Sequence, residues 1–133
     1  MKKHLLLIAV VLTIVSCKKD KTEVAEPGIL NVFGTWELAR THGNTAKPTK
    51  ASPNNGNRYV LNSDSTYIRY VSNAIQGQGK FSIQITEVRD SIRFGMIRFT
   101  NPEAQDHFQI RSKTILFGTS IADGPVYEYK KIK

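Results

Sequence analysis

Lys80-Phe81-Ser82-Ile83-Gln84-Ile85 alternates polar and apolar residues without a break. A period of two marks a strand with one face toward a core. Similar short runs recur over Thr35–Arg40, Arg58–Leu61, Tyr67–Val71, His107–Arg111, Thr114–Phe117 and Val126–Ile132. Between Asp90 and Phe99 the phase slips at Gly95: Ile92 and Phe94 alternate before it, Ile97 and Phe99 after it. A slip at a glycine implies a bulge or bend within one strand, or a tight turn between two. Counted as one bent strand, the segment brings the total to eight. Turn clusters fall between the runs at Asn54–Asn57, Asn62–Ser65, Gly77-Gln78-Gly79, Asn101-Pro102 and Asp123-Gly124-Pro125. This spacing points to an antiparallel sandwich or barrel. Eight short strands in about a hundred residues suit an all-β, up-and-down barrel, because closure removes exposed edges.

If the barrel closes, one set of side chains points inward. It contains Trp36 and Leu38; Tyr59 and Leu61; Phe81, Ile83 and Ile85; Ile92, Phe94, Ile97 and Phe99; Phe108 and Ile110; Phe117; Tyr127 and Tyr129. A barrel of this size is either filled by its own side chains or holds one small ligand. So many Ile and Phe residues in a short chain favour a filled or narrow interior. The candidate lining of any cavity is Tyr59, Tyr70, Phe81, Ile83, Phe94, Phe108, Phe117, Tyr127 and Tyr129, in which tyrosine hydroxyls add polar handles to an apolar wall. Arg58, Lys80, Arg93, Arg98 and Arg111 are assigned to the outer face. The facing of Tyr67–Val71 is open, and Arg69 is expected outward because an unpaired buried charge is costly. The connection Thr41–Asn57 is long and polar, with two prolines and four asparagines. Loops of that length are functional lids or simply mobile.

The first 16 residues differ from the rest. Lys2, Lys3 and His4 precede an 11-residue apolar run, Leu5–Val15, broken only by Thr13. That run is well short of the ~20 residues of a membrane-spanning helix. A basic start, a short apolar stretch and the small Ser16 describe a secretory signal peptide. Ile14-Val15-Ser16-Cys17 resembles the lipobox of bacterial lipoproteins. The resemblance implies that Cys17, the only cysteine, receives a diacylglyceryl group, that the chain is cut before it, and that the new amine is acylated. Two or more acyl chains anchor stably where one does not. The expected organisation is a signal peptide helix over 1–16, a polar tether over 17–28 and a barrel domain over 29–133.

Further residues resemble a second family. Gly34-Thr35-Trp36 is similar to the G-x-W that opens the first strand of lipocalins, and a long first loop follows. Tyr59–Tyr67 looks like a hairpin of bacterial lipocalin-like lipoproteins that usually reads F-x-x-D-G-T-Y, with Ser65 in place of the glycine. Gly77-x-Gly79-x-Phe81 and Tyr127-x-Tyr129-Lys130-Lys131 extend the likeness over Phe33–Lys133. The resemblance implies that Trp36 packs across the barrel's closed end, that a helical turn over Ile29–Phe33 helps seal it, and that a late arginine, with Arg111 one candidate, stacks on the ring.

The chain carries a formal charge of +8, falling to +6 once Lys2 and Lys3 are removed. Export argues against nucleic acid as the partner; a solvated surface or acidic lipid headgroups account for the basic balance. Lys18 follows the cysteine where an Asp would imply inner-membrane retention, and Lys18-Lys19-Asp20-Lys21 matches an acidic surface-export signal poorly. The expected address is therefore the outer membrane, facing the periplasm. No nucleophile elbow, zinc motif or phosphate-binding glycine loop occurs. Asp106 and His107 are adjacent, so on a strand they face opposite ways. The expectation is a palmitate-bearing, non-enzymatic envelope lipoprotein without cofactor or metal. Its barrel binds a small hydrophobic or amphiphilic molecule or, alternatively, acts as a solid module for protein–protein contact.

Overall fold

Strand β1 (Gly34–His42) uses both of its edges, and this closes the molecule. Along one edge Gly34–Glu37 pair with β3 (Arg58–Leu61); along the other, Trp36–His42 pair with β9 (Val126–Lys131). In this computed structural model the described residues are 32–43, 47–118 and 124–133. The signal segment, Cys17, the tether and residues 29–31 of the expected seal lie outside them. Between β3 and β9 run β4 (Thr66–Val71), β5 (Ala74–Arg89), β6 (Ile92–Thr100), β7 (Glu103–Arg111) and β8 (Thr114–Phe117), each antiparallel to the next. The result is an all-β, closed eight-stranded barrel in up-and-down order. A two-residue strand, β2 (Thr49–Lys50), lies against Arg40 and Thr41 of β1. The described residues contain no helix.

The long first connection is tied to the barrel. The Asn55 side-chain amide donates to the carbonyls of Leu38 and Ser52, and Leu38 N–H donates to Asn57 O at 2.9 Å. These bonds satisfy backbone groups that a loop over the barrel would otherwise leave to water.

One end of the barrel is sealed. Trp36 is fully buried and its indole N–H donates to Val32 O at 2.7 Å. Leu61, Ile97, Ile110 and Ile115 pack into the same core, each at most 2 % exposed. The cation over the Trp36 ring is Lys131, its Nζ 5.5 Å from the centroid, where the resemblance implies an arginine. Residues after β9 close over the same end: Thr35 N–H donates to Lys133 O, and Ile132 N–H donates to Thr35 O.

Two sequence expectations change. The slip near Gly95 belongs to the partner strand: the β5–β6 register shifts between Ile85 and Glu87, while β6 pairs with β7 without interruption. β6 therefore keeps its alternation through Gly95, with Gly95, Ile97 and Phe99 inward. Ile92 and Phe94 take the outer face, and Arg93 takes the inner register opposite Ile110. Gly95 is needed for space: a Cβ there would lie 2.3 Å from Gln84 O and 2.9 Å from the Phe108 ring. The second change is Gly77-Gln78-Gly79, a run of strand within the 16-residue β5 and not a turn. A side chain at Gly77 would meet Pro102 Cδ at 2.9 Å.

The hairpin between β3 and β4 accommodates Ser65 at φ 64°, a left-handed conformation that glycine adopts without strain. Asp64 Oδ1 holds the turn by accepting from both Thr66 N–H and Thr66 Oγ1–H. These bonds keep the Asp64 carboxyl below its ordinary pKa.

Removing the seal should be costly: Trp36→Ala is expected to lower unfolding free energy by about 3–5 kcal/mol in denaturant titration. Ser65→Gly should raise it by about 0.5–1 kcal/mol, since it relieves the left-handed cost against a smaller gain in chain entropy.

Candidate functional site: an aromatic pocket at the open end

Away from Trp36 the barrel is not filled. A pocket of about 330 Å3 opens between the turns that join β4 to β5 and β6 to β7. Its floor is a connected set of rings centred on Tyr59. Tyr59 stacks on Phe99 at 5.6 Å, and meets Phe117 at 5.3 Å and Tyr129 at 5.4 Å. Phe117 meets Tyr129 at 5.5 Å, and Tyr67 meets Phe99 at 4.5 Å. Each such pair adds about 0.5–1.5 kcal/mol beyond the area it buries. Strand register produces this floor, since Tyr59 and Tyr67 on neighbouring strands, and Phe117 and Tyr127 on another pair, share the inner face.

Five of the nine residues proposed as cavity lining border the pocket: Tyr59, Tyr70, Phe117, Tyr127 and Tyr129. Tyr70 touches only its rim, since the Arg58 guanidinium sits 4.2 Å from its ring centroid on the outer face. Phe81 and Phe108 are buried in the filled part, Phe81 edge-on to Phe33 at 6.4 Å, and Ile83 packs against that core. Phe94 lies outside the barrel wall, for the register reason given above; the Arg89 guanidinium is 5.6 Å from its ring.

Two charged residues complete the pocket. Arg69 pairs across from Tyr59 and so faces inward, against the expectation that it points out. It avoids the desolvation penalty by staying exposed at the mouth, with its guanidinium 5.6 Å from the Tyr59 ring centroid. Among the described residues it makes no ion pair. Asp106, on β7, shares its face with Phe108, because the strand begins at Glu103 and not at His107. Burial pushes its carboxyl above the ordinary aspartate pKa, although Oδ1 accepts from Gly118 N–H at 3.1 Å. Its neighbour His107 points outward. The period of the sequence carried the signal for both residues, once the strand limits were known.

The phenols divide into two kinds. Tyr67 Oη donates to Asn101 O. Tyr59 and Tyr129, 9 % and 7 % exposed, have no hydrogen-bond partner among the described residues, yet neither hydroxyl is sealed from the pocket. Desolvation pushes the Tyr59 phenol up to about 12 and raises that of Tyr129 as well, so both stay protonated donors at neutral pH.

A separate cluster lies on the outer face. Glu128, 8 % exposed, receives His42 Nε2 at 3.1 Å and Arg40 Nη1 at 3.5 Å. It staples β9 to β1 and by strand parity faces away from the pocket rings.

No protein-family model, curated protein or solved structure matches the chain.

Asp106 supplies a pH test. Its folded pKa exceeds the unfolded value near 3.8, so the stability it contributes is complete below that value and lost as pH rises through the folded pKa. Asp106→Asn keeps an acceptor for Gly118. The variant should unfold at higher denaturant than wild type at neutral pH, and should lose the decline that wild type shows just above pH 3.8.

Proposed function

We propose that the chain is a non-enzymatic cell-envelope lipoprotein of lipocalin-like type, acylated at Cys17, whose barrel binds a small hydrophobic or amphiphilic molecule. The pocket at the end opposite Trp36 carries this reading. Its volume is at the low end of the range for small-molecule sites, and its wall is mostly aromatic and aliphatic with a few convergent polar groups, as such sites are. The lipobox resemblance at Cys17 supports membrane attachment, and the residues after it favour the outer membrane facing the periplasm. Lipocalin-like character rests on Gly34-Thr35-Trp36 and on one closed and one open end.

A second reading has its own observation. Val71 and Tyr127 at the mouth are 38 % and 39 % exposed, and Ile75, opposite Tyr70 beside the turn from β4 to β5, is 54 % exposed. An apolar rim over a half-filled barrel suits contact with an envelope protein. Crosslinking from Ile75 in intact envelopes would capture a discrete partner under this reading and nothing under the first.

Labelled palmitate should enter the protein in growing cells and fail to enter Cys17→Ala. Native mass spectrometry of the Cys17→Ala chain should reveal a bound small molecule, or uptake of an added amphiphilic dye. Unlabelled wild-type protein would contradict the anchor, and a chain that takes up no small molecule would contradict the binding role.

A further inference from the structure

We infer that the pocket is built for a compact, ring-bearing organic anion whose acidic group sits at Arg69 and whose flat body lies on the aromatic floor. The inference rests on the pocket being a ligand site and adds the chemistry of its occupant.

Three observations converge. The first is charge: Arg69 faces the pocket from its rim without a carboxylate partner among the described residues. A guanidinium offers a planar fork matched to a carboxylate, and it is the group of choice where such an anion must be oriented. The second is the pair of phenols. Tyr59 and Tyr129 are more than nine-tenths buried, and their hydroxyls reach pocket space without a protein acceptor. Buried hydroxyls usually find partners. Burial holds them protonated against the opposing pull of the Arg69 charge, so each is a donor aimed at an acceptor that the ligand would bring. The third is shape. Five rings connected through Tyr59 and Phe99 make an aromatic floor for a π-system, and about 330 Å3 is too small for a diacyl lipid.

Asp106 gives the site direction. It borders the same pocket on β7, whereas Arg69 is on β4. An anion is therefore drawn to the Arg69 side and kept from the Asp106 side, so the ligand enters in one orientation.

The test uses calorimetric titration of the full chain carrying Cys17→Ala, at pH 7.5, with 2-naphthoate, its neutral isostere 2-naphthamide, and palmitate. Naphthoate should bind about tenfold or more tighter than naphthamide, the worth of one hydrogen bond to a charged group. Arg69→Gln should erase that preference while leaving naphthamide affinity within about twofold. Tyr59→Phe and Tyr129→Phe, which keep the rings, should each weaken naphthoate several-fold, and Asp106→Asn should tighten it. Equal affinity for the two naphthalene probes, a preference that survives Arg69→Gln, or palmitate binding tighter than naphthoate would overturn this inference and leave the pocket as a ligand site. Failure of all three probes to bind would overturn both.

Discussion

The pairing of β1 with β9 is the constraint on which everything else depends. Without it the sheet would be an open meander with two bare edges and no inside. With it, Trp36 is placed opposite Lys131, the start of β1 meets Lys133 through Thr35, and the inner faces of eight strands turn toward one another. The ladder is reinforced where it is irregular. Its register shifts between Leu38 and Arg40, and there Glu128 gathers Arg40 and His42 on the outer side. A buried carboxylate held by a guanidinium and an imidazole contributes more to register than to net stability, because desolvation offsets much of the attraction.

The barrel is asymmetric along its axis, and the cause is side-chain volume. Around Trp36 the inner positions hold Leu61, Ile97, Ile110 and Ile115, which interdigitate to full burial. At the other end the inner positions hold tyrosines, an arginine and an aspartate. Rings with polar tips and charged groups resist collapse into a dry core, so space remains there. A filled half thus supplies the rigidity, and the half that pays for a cavity supplies the polar groups that any recognition requires.

Much of the architecture is legible in the chain. Arg58–Leu61 and Thr114–Phe117 are short runs rich in aromatic, aliphatic and β-branched residues with turn residues on both sides, and their limits coincide with β3 and β8. Other parts are not legible for physical reasons. The phase slip around Gly95 is visible, but a single strand's pattern cannot tell whether it or its neighbour bulges, and so Ile92 and Phe94 are assigned to the wrong face. Gly77 and Gly79 look like a turn because glycine usually breaks strands; here they make room for the Asn101-Pro102 turn. Arg69 is misassigned because burial of charge is judged by residue type, whereas at a barrel mouth a long side chain can line the interior and remain wet. Asp106 is seen only as the neighbour of His107, and its place in the pocket wall is missed because its strand begins four residues before the alternation becomes obvious.

Backbone amide NMR of the protein titrated with 2-naphthoate tests the central claim, a barrel sealed at Trp36 and receptive at the opposite end. The account predicts shifts concentrated at Leu38, Asn57–Tyr59, Tyr67–Val71, Phe99–Asp106 and Tyr127–Tyr129, with the Trp36 indole N–H unmoved and protected from exchange. Shifts centred on Trp36, or an indole proton that exchanges rapidly in the free protein, would contradict it.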